Sequence, residues 1–315
     1  VKKQRIGILA VQETHLNEPY LADVQRLFHR RLLILNTSDP DRPTTSAGVA
    51  FVLNKETVRT DEYRFTVLIP GRAAALTIKW RDNRTLTLLN IYGPNAPSEH
   101  ANFWETLQQA WQDENLPDPD FMMGDFNLVE DAIDRSPPHE DDEAATAALQ
   151  TFRTHLHLQD TWRHSHPTTK TFTFRSNSTN QYAQSRIDRI YTSTHNERLV
   201  FEWTHGAPPV PTDHHMVAVR YAPYDAPYIG PGRWTMPLHL VNDEILLKTI
   251  LKEAKQLETE LTNIAATGRT EQLNAQLVWL SFKTAIKKKI RQHAAKSKGK
   301  LTRQIQNLKR DAATL

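Results

Sequence analysis

The 315-residue sequence contains no cysteine. That excludes a disulfide framework, a cysteine-ligated zinc site and a thiol nucleophile together, so any chemistry must run through oxygen and nitrogen atoms. No apolar stretch approaches the roughly 18 residues that a membrane-spanning helix needs, and the first residues lack the charged-then-apolar profile of a secretory signal. The expectation is a soluble, intracellular protein with no membrane partner. Also missing are a GxSxG elbow, a Walker phosphate loop and a dinucleotide fingerprint, which leaves acyl transfer and nucleotide cofactors without footing. There is no internal repeat.

What is present is enough apolar residue, 39%, to build a sizeable core, and a charge that is divided unevenly. The net charge of +3 conceals two regions. From Tyr224 to Leu315, 16 Lys and Arg oppose 8 Asp and Glu, whereas the first 223 residues carry 23 against 28. Between Lys283 and Leu315 eleven positive side chains face a single acid, Asp311. Such a run attracts polyanions and makes their binding salt-dependent, so RNA or DNA is a candidate partner for this end of the chain.

Up to about Tyr221, short apolar runs bounded by Gly, Pro, Asn or Asp predict strands at GILAV, GVAFVL, FTVLI, AALTIKW, TLTLLNIY, FMMG, RIDRIY and MVAVRY. Amphipathic helices fall between them: one with Leu21, Val24, Leu27 and Phe28 on a face, one opening after Ser98 with Phe103, Leu107 and Trp111, one with Leu149, Phe152 and Leu156. Runs of strands broken by single helices favour stacked mixed sheets over a doubly wound parallel sheet. The expected organisation is a mixed α/β domain over residues 1–222, a Pro/Gly-rich linker over 223–241 and a helical basic connector over 242–315. In the connector, Ile245, Leu246, Ile250, Leu257, Leu261 and Ile264 form one packing stripe, and Leu273, Leu277, Leu280 and Ile290 a second after a break at Gly268.

Four stretches share a layout in which an apolar strand runs out at a charged or hydrogen-bonding residue. They are AVQETH with Glu13, LLNIYGPN with Tyr92 and Asn95, FMMGDFN with Asp125 and Asn127, and SRIDRIY with Asp188; PTDHHMVAV then opens a strand with Asp213 and His214. Strand ends on one edge of a sheet converge even when far apart in sequence. Oxygen-rich clusters of this kind suit a hard divalent ion, which neutralises phosphate charge during attack by water. A carboxylate beside His214 would raise its pKa and fix its tautomer, making a cationic donor near neutral pH. His155, His157, His164 and His166 also crowd a short stretch, but the first two lie on different helix faces and the others flank Pro167 in a loop. They are expected to be structural or solvated.

In this order, QETH, NIYGPN, GDFN, SRIDRIY and TDHH resemble the motif series of the endonuclease/exonuclease/phosphatase superfamily. The wording, with HPTTKTFTF ahead of SRIDRIY, resembles most the endonuclease of LINE-type non-LTR retrotransposons, in which a helical connector leads to a reverse transcriptase. The resemblance implies an α/β fold, a four-layer sandwich of two mixed β-sheets flanked by helices, here followed by an all-α basic segment. It implies a DNA-nicking phosphodiesterase using Mg²⁺, with Mn²⁺ able to substitute, and acting in the nucleus if genomic DNA is its substrate. Glu13 would be the principal metal ligand, with Asp213 completing the acidic edge. Tyr92 and Asn95 would contact the phosphate or help the leaving group. Asp125 would orient or deprotonate the water, Asn127 would hold a phosphate oxygen, and Asp188 would pair with His214, the donor to the scissile phosphate. Thr173 and Arg186 are expected at the substrate. The family places an Asn on a strand ahead of the glutamate, and no such strand precedes Ile8 here, so reduced nuclease activity is an expectation. Two alternatives stay open: a phosphoesterase of the same fold acting on a non-DNA substrate, and a non-catalytic nucleic-acid-binding remnant. Target preference would rest on loops such as 176–184.

Overall fold

In TLTLLNIY every residue but the first is buried, a pattern that a strand satisfies only when both of its faces are covered. The computed structural model describes residues 6–80, 84–176, 183–208, 210–223, 236 and 240–313. It divides into two units, Val1–Ala226 and Pro227–Leu315; the expected linker, 223–241, lies largely outside the described residues, as does most of loop 176–184.

The first unit begins with β1 (Ile8–Gln12), α1 (Glu18–Phe28), β2 (Leu32–Thr37), β3 (Val49–Asn54), β4 (Tyr63–Ile69), β5 (Ala73–Lys79) and β6 (Thr85–Tyr92). It continues through α2 (His100–Asp113), β7 (Phe121–Asp125), β8 (Arg135–Ser136), α3 (Glu143–His155), β9 (Leu158–Gln159) and α4 (Thr161–Ser165). It closes with β10 (Phe174–Arg175), β11 (Gln184–Ser185), β12 (Asp188–Ser193), β13 (Val200–Gly206) and β14 (Met216–Tyr221). The second unit holds α5 (Glu244–Thr267) and α6 (Ala275–Ala313).

A six-stranded sheet, ordered β4-β5-β6-β7-β12-β9, forms the centre of the first unit; β6 and β7 run parallel and the other neighbours antiparallel. Strand alternation divides its side chains between two cores. On one face Leu89, Ile91, Met122 and Tyr191 pack with Trp104, Leu107 and Trp111 of α2 and Leu149 and Phe152 of α3. On the other face Leu86, Leu88 and Phe121 meet Phe51 and Leu53 of β3, with Ile8 and Ala10 of β1 and Val219 and Tyr221 of β14 alongside. The layers are therefore helix, sheet, sheet, helix, as the resemblance implies. The second sheet layer comes in two antiparallel pieces, β1-β3-β2 and β13-β14, and β1 lies at the edge of its piece. Short strands β10-β11-β8 form a further small sheet.

All eight expected strands are present, and β2, β13 and the two-residue strands β8, β9, β10 and β11 are additional. Two helical faces differ from expectation. Leu27 and Phe28 are 71% and 48% exposed, because α1 packs mainly on β2 and, of its apolar side chains, only Leu21 and Val24 are partly covered. In the second unit Leu246, Ile264 and Val278 are buried while Ile245, Leu273, Leu277 and Leu280 are exposed. The packed face of α6 runs through Val278, Phe282, Ile286 and Ile290, one position out of phase with the expected stripe at its start.

Gly124 shows how tightly the central strands are fitted. Its φ is +144°, and a Cβ there would sit 1.9 Å from the Ile91 carbonyl oxygen. Gly124→Ala is expected to lower stability by at least about 2 kcal/mol, through backbone strain and overpacking. Urea unfolding of the two proteins checks this; an unchanged midpoint would contradict the fit.

Candidate active site

Strand register builds the site. Tyr92 at the end of β6 pairs with Asp125 at the end of β7, and Asp125 pairs with Asp188 at the start of β12. One lateral row thus crosses three neighbouring strands. Since Leu88, Phe121 and Ile190 point to the core beneath β1 and β14, the even spacing from Leu88 to Tyr92 and from Ile190 to Asp188, and the like spacing from Phe121 to Asp125, aims all three site residues at that same layer.

The opposing layer supplies the rest. Glu13 follows β1 directly, with a left-handed φ of +51°. Its carboxylate accepts a close hydrogen bond from the Tyr92 hydroxyl. Burial and then this bond push the Tyr92 pKa above its usual value, so the hydroxyl keeps its proton. His214, just before β14, holds its Nδ1 against the two Asp188 carboxylate oxygens at 2.9 and 3.2 Å, leaving Nε2 for another partner. Phe174 packs against the imidazole with ring centroids 4.9 Å apart. Burial opposes the charged ring, but the Asp188 hydrogen bond and the charges of Asp188, Asp125 and Asp213 prevail and raise the His214 pKa to about 9. Asp125 moves upward as well: burial, followed by the Asp188 charge, raises it to about 7 against the pull of His214 and the Asn127 backbone N–H.

The loop after β6 is closed by carboxamides. Asn127 donates from Nδ2 to the Gly93 carbonyl at 3.1 Å and to Asn95 Oδ1 at 3.4 Å, and Asn95 Oδ1 lies 3.3 Å from the Tyr92 hydroxyl. Gly93 is required here, because a Cβ would meet the Phe126 carbonyl oxygen at 2.4 Å.

Seven expected residues, Glu13, Tyr92, Asn95, Asp125, Asn127, Asp188 and His214, are thereby joined. Asp213 sits exposed beside them, its backbone carbonyl accepting from Arg175 N at 3.3 Å. Two residues expected at the substrate are turned inward instead. Thr173 is buried, its hydroxyl accepting from Asp188 N at 3.0 Å, so it props the strand that carries Asp188. Arg186 is also buried, with Nη2 at 2.7 Å from Asp134 and 2.5 Å from Asp160. Arg163 joins Asp134 from the other side. A charge this enclosed persists only with its partners, so in this structure the Arg186 guanidinium is committed to Asp134 and Asp160 at the start of β12.

Two supporting residues lie outside the expected set. Asn90, fully buried, accepts from Gln12 Nε2 at 2.6 Å and donates to the Ala50 carbonyl at 2.9 Å, tying β1 and β3 to β6 beside Glu13. The polar residue inside the apolar run of TLTLLNIY was its signal. Arg72 stacks 4.7 Å over the Tyr92 ring and donates to the Gly93 carbonyl at 2.9 Å. Nothing in its sequence neighbourhood distinguishes it.

Among the described residues, Asp125, Asp188 and His214 form a group whose ligand atoms all lie within 4.8 Å of one another, a group that could hold a metal ion. The site fits a cation on electrostatic grounds: Asp125 and Asp188 are two carboxylates in adjacent register, one of them buried, with Glu13 adding to the repulsion.

Clustered carboxylates, a charged imidazole and carboxamides at one edge of stacked sheets define a hydrolase fold suited to phosphoesters. The chain belongs to the endonuclease/exonuclease/phosphatase family, whose model matches residues 1–214. It is 31% identical over 207 residues to the transposon TX1 uncharacterized 149 kDa protein of Xenopus laevis, covering 65% of this chain and 15% of that protein. The chain thus spans a small part of this relative's length. In fold it is similar to the endonuclease domain of TRAS1, a telomere-specific non-LTR retrotransposon, with TM-score 0.52 and 16% identity over 71% of this chain and 89% of that one. The AP endonuclease LMAP of Leishmania major gives 0.57 and 16% over 70% and 80%, and the Neisseria 3′ phosphatase NExo bound to a product DNA hairpin gives 0.54 and 18% over 69% and 89%.

The raised His214 pKa has a consequence for metal-free protein. The pairing stabilises the fold fully below the unfolded value of 6.5, and the contribution disappears as pH rises through about 9. In chelator, His214→Gln should lose on the order of 2 kcal/mol at about pH 6 relative to wild type, and almost nothing by about pH 10. Urea unfolding at both pH values measures it; a pH-independent difference would contradict the Asp188 pairing.

Proposed function

We propose that the first unit is a divalent-metal-dependent endonuclease that nicks DNA, of the kind non-LTR retrotransposons encode. The observation carrying this reading is the row Tyr92–Asp125–Asp188 facing Glu13 and the Asp188-bound His214. The named activities of similar structures, the endonuclease domain of a non-LTR retrotransposon, an AP endonuclease and a 3′ phosphatase bound to a product DNA hairpin, support DNA as the substrate.

Glu13 and the Asp125–Asp188 edge would hold Mg²⁺ or Mn²⁺, which supplies charge neutralisation at the phosphate and lowers the pKa of bound water. Asp125, oriented by the Asn127 backbone N–H, would accept a proton from the attacking water. His214, charged at neutral pH and steered by Asp188, donates from Nε2 to a phosphate oxygen as negative charge builds there. Asn127 and Asn95 offer carboxamides to the other oxygens, and Tyr92 keeps a proton for the departing alkoxide side. Asp213 adds negative charge near the imidazole from outside. Action on genomic DNA would place the work in the nucleus.

The test is nicking of supercoiled plasmid in Mg²⁺. EDTA should abolish it, and Asp125→Asn and His214→Gln should each slow it by at least about 100-fold. Nicking indifferent to chelator and to both substitutions would overturn the proposal. Turnover of a soluble phosphoester that DNA fails to inhibit would favour the non-DNA phosphoesterase, and strand binding without any turnover would favour the non-catalytic remnant.

A further inference from the structure

The second unit carries a feature that the site in the first unit does not use. From Ala275 to Arg310 helix α6 contains no acidic residue. Among the described side chains its basic residues divide by face. Lys289 reaches Glu253 of α5 at 2.6 Å and His293 reaches Asp243 at 2.8 Å, so carboxylates at and before α5 meet cations on the packed side. Lys283, Lys287, Lys288 and Arg291 lie on the exposed side. Lys283, Lys287 and Arg291 follow one another at i, i+4, a step of about 6 Å along the axis. Like charges at that spacing repel and weaken a helix.

At the head of this row stands an aromatic side chain. Trp279 is 48% exposed, is stacked on Phe282 with ring centroids 5.5 Å apart, and has the Lys283 ammonium 5.7 Å over its ring. An exposed indole leading a row of cations is chemistry for a strand with accessible bases: the cations track phosphates and the ring stacks on a base. A duplex, with its bases already stacked, would leave the indole unused.

We infer that the exposed row Trp279–Lys283–Lys287–Lys288–Arg291 of α6 is a binding surface for single-stranded nucleic acid, separate from the hydrolytic site. The lysines neutralise phosphates, so binding weakens steeply with salt. Trp279 stacks on a base, an interaction that salt hardly affects.

The full chain with Asp125→Asn, introduced to prevent cleavage, is titrated with a labelled single-stranded oligonucleotide, as DNA and as RNA, and with the matching DNA duplex. Fluorescence anisotropy is read between about 50 and 200 mM salt. Combined Lys283→Gln, Lys287→Gln and Lys288→Gln should lower the slope of log affinity against log salt by about 2, at about 0.7 for each phosphate no longer neutralised. Affinity at low salt should fall at least about tenfold. Trp279→Ala should weaken single-strand binding about tenfold with the slope unchanged. Replacing the same lysines by Arg should preserve the slope, which separates charge from folding, and circular dichroism monitors the helix. Binding of either strand supports the inference and identifies its sugar. An unchanged slope in the Gln variant, or duplex bound as tightly as single strand with Trp279→Ala silent, overturns it. Loss of plasmid nicking alone would bear on the first unit and leave this surface standing.

Discussion

The in-register pairing of β6, β7 and β12 is the constraint on which the site depends. It brings Tyr92, Asp125 and Asp188 side by side although they are dispersed over almost a hundred residues. Strand alternation then decides that they face the sheet layer carrying Glu13 and His214, and not the layer of α2 and α3. A slip of one residue in either pairing would turn an acid into the Trp104 core. Gly124, where β7 passes closest to Ile91, helps to hold that register.

Holding carboxylates this close opposes folding, and the surrounding residues offset it. His214 compensates Asp188, and the Asn127 backbone N–H donates to Asp125 at 2.8 Å. Behind them Arg186, Arg163, Asp134 and Asp160 form an enclosed ionic group, with the Asp160 carboxylate, despite its burial, kept below its ordinary pKa by the Arg186 charge and hydrogen bond. A second group, Arg189 with Glu130 and Tyr191, fixes the chain beyond Asn127 through the Leu128 carbonyl at 2.5 Å. The two arginines of SRIDRIY thus hold up the aspartate between them. What remains unbalanced, the negative edge of Glu13 and Asp125, is where a divalent cation would lower the energy most.

The strands and the chemistry-bearing residues at their ends were legible in the sequence because apolar runs that stop at an acid or amide are a local signal. The direction of a buried arginine is not local. Arg186 and Thr173 read as substrate-binding residues because their motif is polar and adjacent to Asp188, yet their partners, Asp134, Asp160 and Ser185, are reached only through tertiary packing. The same holds for Arg72, whose partner Tyr92 is brought opposite by the β5–β6 hairpin. On α6 the apolar stripe was misplaced because Leu and Val at neighbouring positions fit two helical phases, and packing against α5 selects Val278.

Cation binding at the row is the central physical claim, and anomalous diffraction from Mn²⁺-soaked crystals of the full chain tests it most directly. A single strong peak bordered by the carboxylates of Glu13, Asp125 and Asp188 is the expected result, lost in Asp125→Asn. No peak there, or one held by other residues, would contradict it.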